Sequence, residues 1–211
     1  MRGRILEAAE ELFASKGYAA ATTQEIARLA GIQKRMLFYY FPDKEELYAQ
    51  VLDRFLLGIR DIHTQFHRDP GPVGLQQVIA GLIRFTASNP GPVRILIREI
   101  MDDGLQLRRI VKDSAGPLFA AGLGETRRNM DRGLFRSEDP MHTLINIGGL
   151  TIFYLIIAPL LRQVWRRDPL SADTIEERIK ATTTFVLNGM LASETSASPT
   201  TGSGDAARPR R

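Results

Sequence analysis

Residues Thr22–Lys44 read TTQEIARLAGIQKRMLFYYFPDK. The first four of them put a hydroxyl at Thr22 and a carboxylate three positions later at Glu25, the pattern of a capping box, so a helix is expected over Thr23–Ala30. It would turn Ile26, Ala27, Leu29 and Ala30 inward and stop at Gly31. A short helix follows over about Gln33–Tyr40, closed by Pro42, because the residue before a proline is pushed out of the helical region. Asp43 then caps a long helix that runs to about Phe66. A helix, a tight turn around a glycine and a short second helix make a helix-turn-helix. On a wheel of about 100° per residue, Lys34, Phe38, Arg35 and Tyr39 share one face, and Leu37 falls on the other.

That face carries chemistry. Two cations and two rings on a short rod suit insertion into a DNA major groove, where Lys34 and Arg35 can donate to guanine O6 and N7. Gln24 or Gln33 can read adenine in the same way. Thr22 and Thr23 open the preceding helix, where free backbone N–H groups and hydroxyls suit a phosphate oxygen. Lys44, at the start of the next helix, suits another phosphate. Within this stretch Arg28, Lys34, Arg35 and Lys44 outnumber Glu25 and Asp43, so positive charge is local even though the 211-residue chain is only +4 overall. The other reading of the same residues is a solvated basic face whose rings pack on a neighbouring helix.

Upstream, Ile5, Leu6, Ala9, Leu12 and Phe13 recur at three- and four-residue steps, which predicts a first helix over Arg2–Ser15 ended by Gly17. Downstream, further helices are expected near 73–88, 92–101, 104–113, 115–132, 140–165 and 172–191, after a break at "RDPGPVG". No strand pattern occurs, so the fold class is all-α. The first helices are too few to hold a core alone and must dock on the fourth. From Ser193 the chain is rich in Ser, Thr, Gly and Pro and is expected to be disordered.

The residues Thr22, Thr23, Ile26, Ala27, Ala30, Gly31, Leu37, Tyr40, Phe41, Lys44 and Leu47 resemble the pattern of TetR-type (TetR/AcrR) helix-turn-helix transcriptional repressors, over about Ile5–Leu52. The resemblance implies base contacts near Gln24, Lys34, Arg35 and Met36. It implies phosphate contacts from Thr22, Thr23, Phe38 or Tyr39, Tyr40 and Lys44. Three positions depart from the pattern: Gln33 stands where serine is usual, Arg35 where glycine is frequent and Phe38 where tyrosine is usual. The implied organisation is a DNA-binding domain over 1–47, a ligand-binding and dimerisation domain over 48–192 and a tail over 193–211. The implied function is a homodimeric repressor in the cytoplasm, released from a palindromic double-stranded DNA operator by a small-molecule effector.

The body offers less. The apolar stretch 140–165 and the broad stripe of Ile175, Ile179, Phe185, Val186 and Leu187 each need a partner surface, either a second subunit or the chain's own core. Phe85, Ile97, Met101, Phe119, Phe153 and Tyr154 are candidates for lining an effector cavity, although rings at helical spacing also build ordinary cores. Arg98 and Glu99 would serve as a ligand contact or as an ion pair.

Several function classes recede. Leu144–Leu161 runs without a charge and has the minimum length of a membrane span, but Asn146, Gly148, Gly149 and Pro159 favour a buried helix. The opening "MRGRILEAAEEL" is interrupted by charge at once, so no signal peptide is expected. The absence of cysteine excludes disulfides, thiolate catalysis and Cys-ligated zinc, and fits a reducing compartment. His63 and His67 have the spacing of a metal pair, but Thr64 stands where a zinc protease has glutamate. The glycines Gly122 and Gly124 lack the preceding strand of a phosphate loop. No nucleophile–base arrangement or cofactor fingerprint is found, so neither an enzyme nor a cofactor is expected.

Overall fold

The computed structural model describes residues 1–66, 71–102, 104 and 106–191. The chain folds as helices alone among these residues, in the order α1 Arg2–Ala20, α2 Thr23–Leu29, α3 Lys34–Tyr40, α4 Lys44–Phe66, α5 Pro72–Ser88, α6 Pro90–Met101, α7 Leu107–Ile110, α8 Gly116–Asp131, α9 Pro140–Ile156, α10 Ala158–Val164 and α11 Ala172–Met190. A π-helical turn, Val111–Ala115, leads into α8. Residues 193–211, expected to be a disordered tail, and His67 lie outside the described residues.

Two apolar cores hold the helices. The first gathers Ile5, Ala9 and Phe13 of α1, Ile26 and Ala27 of α2, Leu37 of α3, Phe41, and Leu47 and Leu52 of α4. It is closed by Ile95 of α6 and Ile110 of α7, so the N-terminal helices share their interior with the body. The second joins Leu75, Ile79 and Ile83 of α5 to Ile147 and Tyr154 of α9 and to Ile175, Ile179 and Val186 of α11. Helix α4 links them: Phe55, between Leu52 and Leu56 of the first core, stacks on Phe85 of α5 at 5.4 Å.

Three expectations are corrected and one holds. Leu29 is exposed, because α2 is only seven residues long and its buried side is filled by Ile26 and Ala27. The regular course of α1 is broken at Gly17 as expected, at φ 82°, a left-handed backbone that favours glycine, and a further short helical stretch runs on to Ala20. The helix expected over 104–113 is the short α7 and the π-helical turn instead. The apolar stretch 140–165 is two helices bent by 56°, because Pro159 has no N–H with which to continue the ladder. No single helix among the described residues is long and apolar enough to cross a membrane, though the bent pair α9–α10 passes that test by length and composition. Exposed apolar side chains crowd this pair and its neighbour: Phe153, Ile156, Leu160 and Val164 on α9–α10, and Phe185 on α11.

The α4–α5 contact tolerates no added atom at Gly58, where a Cβ would lie 2.3 Å from the Phe85 ring. Gly58→Ala is expected to lower stability by about 1–3 kcal/mol, read from the denaturant midpoint. An unchanged midpoint would show that Phe85 moves aside freely.

Candidate nucleic-acid interface

The capping box at the start of α2 is formed in full. The Thr22 hydroxyl accepts from the Glu25 N–H at 3.2 Å, and the Thr22 hydroxyl and N–H donate to Glu25 Oε2 at 2.9 and 3.1 Å. The other Glu25 oxygen holds Lys16 of α1 at 2.5 Å. The spacing within Thr22–Lys44 gave no sign of Lys16, which lies on another helix. The bond from Lys16, followed by those from Thr22, brings the Glu25 carboxyl down to about 2. The Thr22 hydroxyl is therefore engaged on both sides, while Thr23 and Gln24 follow it, Gln24 exposed and Thr23 partly so.

Between α2 and α3 the backbone turns at Gly31, with φ 66°. Ile32 N–H donates back to Ala27 at 2.9 Å, which fixes the angle at which α3 leaves. Gln33 caps α3 in position only, since its side chain makes no capping bond. Leu37 and the following Phe41 are wholly buried, so one side of α3 is pinned to the core. The opposite side meets solvent. Lys34, Arg35, Met36, Phe38 and Tyr39 are exposed, Tyr39 to 78%, and Tyr40 is partly covered.

The exposed groups are ordered in different degrees. The Lys34 ammonium lies 5.7 Å from the Phe38 ring centre, and the Tyr39 and Tyr40 rings meet edge to face at 5.2 Å. No hydrogen-bond or ion-pair partner holds Arg35 among the described residues. Lys44 does not extend into solvent. Its ammonium lies over the Tyr18 ring at 4.3 Å, near the Ala19 carbonyl at 3.5 Å, and burial pushes its pKa down. Tyr18 was not visible as part of the site, because it belongs to the last turn of α1.

The six residues expected to line an effector cavity are not brought together. Met101, Phe119 and Phe153 are exposed. Phe85 stacks on Phe55, and Ile97 is half-buried on α6. Tyr154 is in the second core, where its hydroxyl donates to Pro169 O at 2.7 Å and the Arg178 guanidinium covers its ring at 5.0 Å. The alternating apolar and aromatic pattern marked these residues as in need of cover, and could not say what covers them. Arg98 and Glu99 do not form an ion pair: Arg98 donates to Ala14 O at 3.2 Å, and Glu99 takes bonds from Tyr48 and from the Gln106 backbone. Among the described residues no group of three or more His, Asp or Glu side chains is placed to hold a metal ion.

Comparison with known proteins finds relatives in sequence and in fold. Residues 5–51 match the family model of bacterial regulatory proteins of the tetR family. Over 160 residues the chain is 27% identical to the HTH-type transcriptional repressor NicS of Pseudomonas putida, covering 72% of this chain and 74% of that one. A stretch of 53 residues, 25% of this chain and 24% of the relative, is 49% identical to the HTH-type transcriptional activator FasR of Mycolicibacterium smegmatis. The fold is similar to that of the TetR family transcriptional regulator PfmR of Thermus thermophilus, with a TM-score of 0.73 and 23% identity, covering 90% of this chain and 96% of that one.

Glu25 supplies a pH test. Its carboxyl is more acidic folded than unfolded, so its contribution is fully present above the unfolded value of about 4.3 and is lost as pH falls from there towards about 2. Thermal midpoints are expected to drop more steeply through that window in the native chain than in Glu25→Gln. Parallel profiles would show that the bonds to Lys16 and Thr22 do not stabilise the fold.

Proposed function

Since this chain is a TetR-type helix-turn-helix regulator of transcription, we propose that it acts as a homodimeric repressor that holds a palindromic operator and lets go when a small-molecule effector binds. The observation that carries the reading is the division of α3: Leu37 buried on one side, Lys34, Arg35, Phe38 and Tyr39 presented on the other. Such a rod enters a major groove with its first residues at base edges. Arg35 has the fork that matches guanine O6 and N7, and it has no internal partner to give up among the described residues. Lys34, steadied by Phe38, and Met36 complete the reading surface. Thr23, Tyr39 and Tyr40 flank it at the positions a phosphate backbone would occupy. Lys44 reaches a phosphate by leaving the Tyr18 ring, and Gln24 and Gln33 lie beside the groove.

The exposed apolar side chains of α9, α10 and α11 support a second subunit. Exposed apolar patches mark interfaces. A two-fold pair of these chains would set two α3 rods about 34 Å apart, one turn of the duplex. Repression rather than activation is favoured because the likeness to the repressor NicS covers both head and body, whereas the likeness to the activator FasR covers only 53 residues. The effector acts through its difference in affinity for the DNA-bound and released forms, whatever its identity.

Binding of the purified protein to its own upstream region, measured at two salt concentrations against random duplex, tests the reading. Specific binding with a steep salt dependence is expected. Affinity equal to that for random duplex would overturn it. Arg35→Ala is expected to relax preference at one base by about 1–3 kcal/mol, while Lys44→Ala weakens all sequences alike. Phe153→Glu combined with Leu160→Glu is expected to give monomers in sedimentation velocity and to abolish operator binding. A dimer that survives both changes would place the interface elsewhere.

A further inference from the structure

A cleft of about 420 Å³ lies where α1, α4 and α6 meet, at the junction of the reading head with the body. Its walls carry the rings of Phe13, Tyr18 and Tyr48, which touch one another edge to face or tilted at 4.8–6.0 Å. The Glu99 carboxylate is at the same cleft and is only 5% exposed. Tyr48 Oη donates to one of its oxygens at 2.8 Å and the Gln106 N–H to the other at 2.6 Å. Both donors are neutral. Among the described residues no lysine or arginine is within ion-pair distance of this carboxylate, and a buried charge without a counter-charge is unfavourable.

The two cations of the wall are turned to other partners. Lys16 is held by Glu25, and Arg98 donates to the Ala14 carbonyl. Gly104 lies so close over Glu99 that a Cβ there would fall 2.3 Å from its carboxyl, so the backbone itself fixes the carboxylate in place. The Tyr18 phenol is pushed up by burial and then by Glu45, Asp43 and Glu99, and Tyr48 feels Glu99 in the same sense and Arg98 in the opposite one. One of the rings already holds a cation, since Lys44 rests on Tyr18. Electron-rich ring faces around a buried carboxylate are the means by which proteins hold quaternary and other organic ammonium groups.

We propose that this cleft binds a small organic cation, with Glu99 as its counter-charge and the rings of Phe13, Tyr18 and Tyr48 as its walls. The volume suits a ligand of drug-fragment size. Phe13 and Tyr18 belong to the head and Tyr48 and Glu99 to the body, so an occupant touches both sides of the junction. Its effect on DNA affinity rests on the repressor reading above; its binding does not.

Calorimetric titration of the full chain without DNA tests the site, using three probes of similar ring size: benzyltrimethylammonium, benzyl alcohol and benzoate. The cation is expected to bind about ten-fold or more tighter than the neutral alcohol, and benzoate weakest. Glu99→Gln, which keeps shape, is expected to remove that ten-fold advantage and leave benzyl alcohol unchanged. Cation binding no tighter than that of the alcohol in the native chain would overturn the proposal, and this comparison needs no variant to fold. An advantage that survives in a folded Glu99→Gln chain would overturn it too. Operator titration with and without the cation then separates the two readings. A cleft that binds in a chain with no operator preference removes the repressor and keeps the site, and the reverse result removes the site alone.

Discussion

A helix of seven residues does not persist in water by itself, because nucleation outweighs the few bonds it forms. Helix α3 exists because Leu37 and Phe41 enter a core built by other helices. Everything on its outer face depends on that anchor. Lys34, Arg35, Phe38 and Tyr39 can be offered to a partner because no structural task is asked of them. The anchor in turn depends on the body, since the core that takes Leu37 and Phe41 also takes in Ile95 of α6 and Ile110 of α7. Head and body are thus joined through apolar packing rather than through a linker.

The head was largely legible from its residues because its determinants are local. The Thr22–Glu25 box, the left-handed Gly31 and the stop before Pro42 each act within four residues, and each is where the sequence placed it. The misses in this region are of another kind. Leu29 looked like a core residue by period, but a helix of two turns has room to bury only part of its apolar content. Lys16 and Tyr18 were invisible because they reach the site through space: one ties down Glu25, the other carries Lys44.

The body was legible in class and not in detail. Helical periodicity marks which side chains need cover and leaves open whether a neighbouring helix or another molecule supplies it. Tyr154 found its cover inside the chain, and Phe153, its immediate neighbour, did not. Pro159 was in plain view, yet an uncharged run around it reads as one rod until the bend at Ile157 is seen. The buried Glu99 was equally hidden. Its partners Tyr48 and Gln106 are 51 and 7 residues away, and no spacing rule connects them.

Helix α4 has 23 residues and gives side chains to the first core near one end and to α5 near its middle. From Gly58 to Lys44 it is a rigid arm of about 20 Å, at 1.5 Å per residue. Gly58 seats tightly under Phe85, where α4 meets α5. A tilt of roughly 5° there carries the far end by about 2 Å, which exceeds the tolerance of a hydrogen bond to a base edge. A change in the body that tilted α4 at this contact would therefore displace its far end, next to α3 in the chain, further than the contact itself moves.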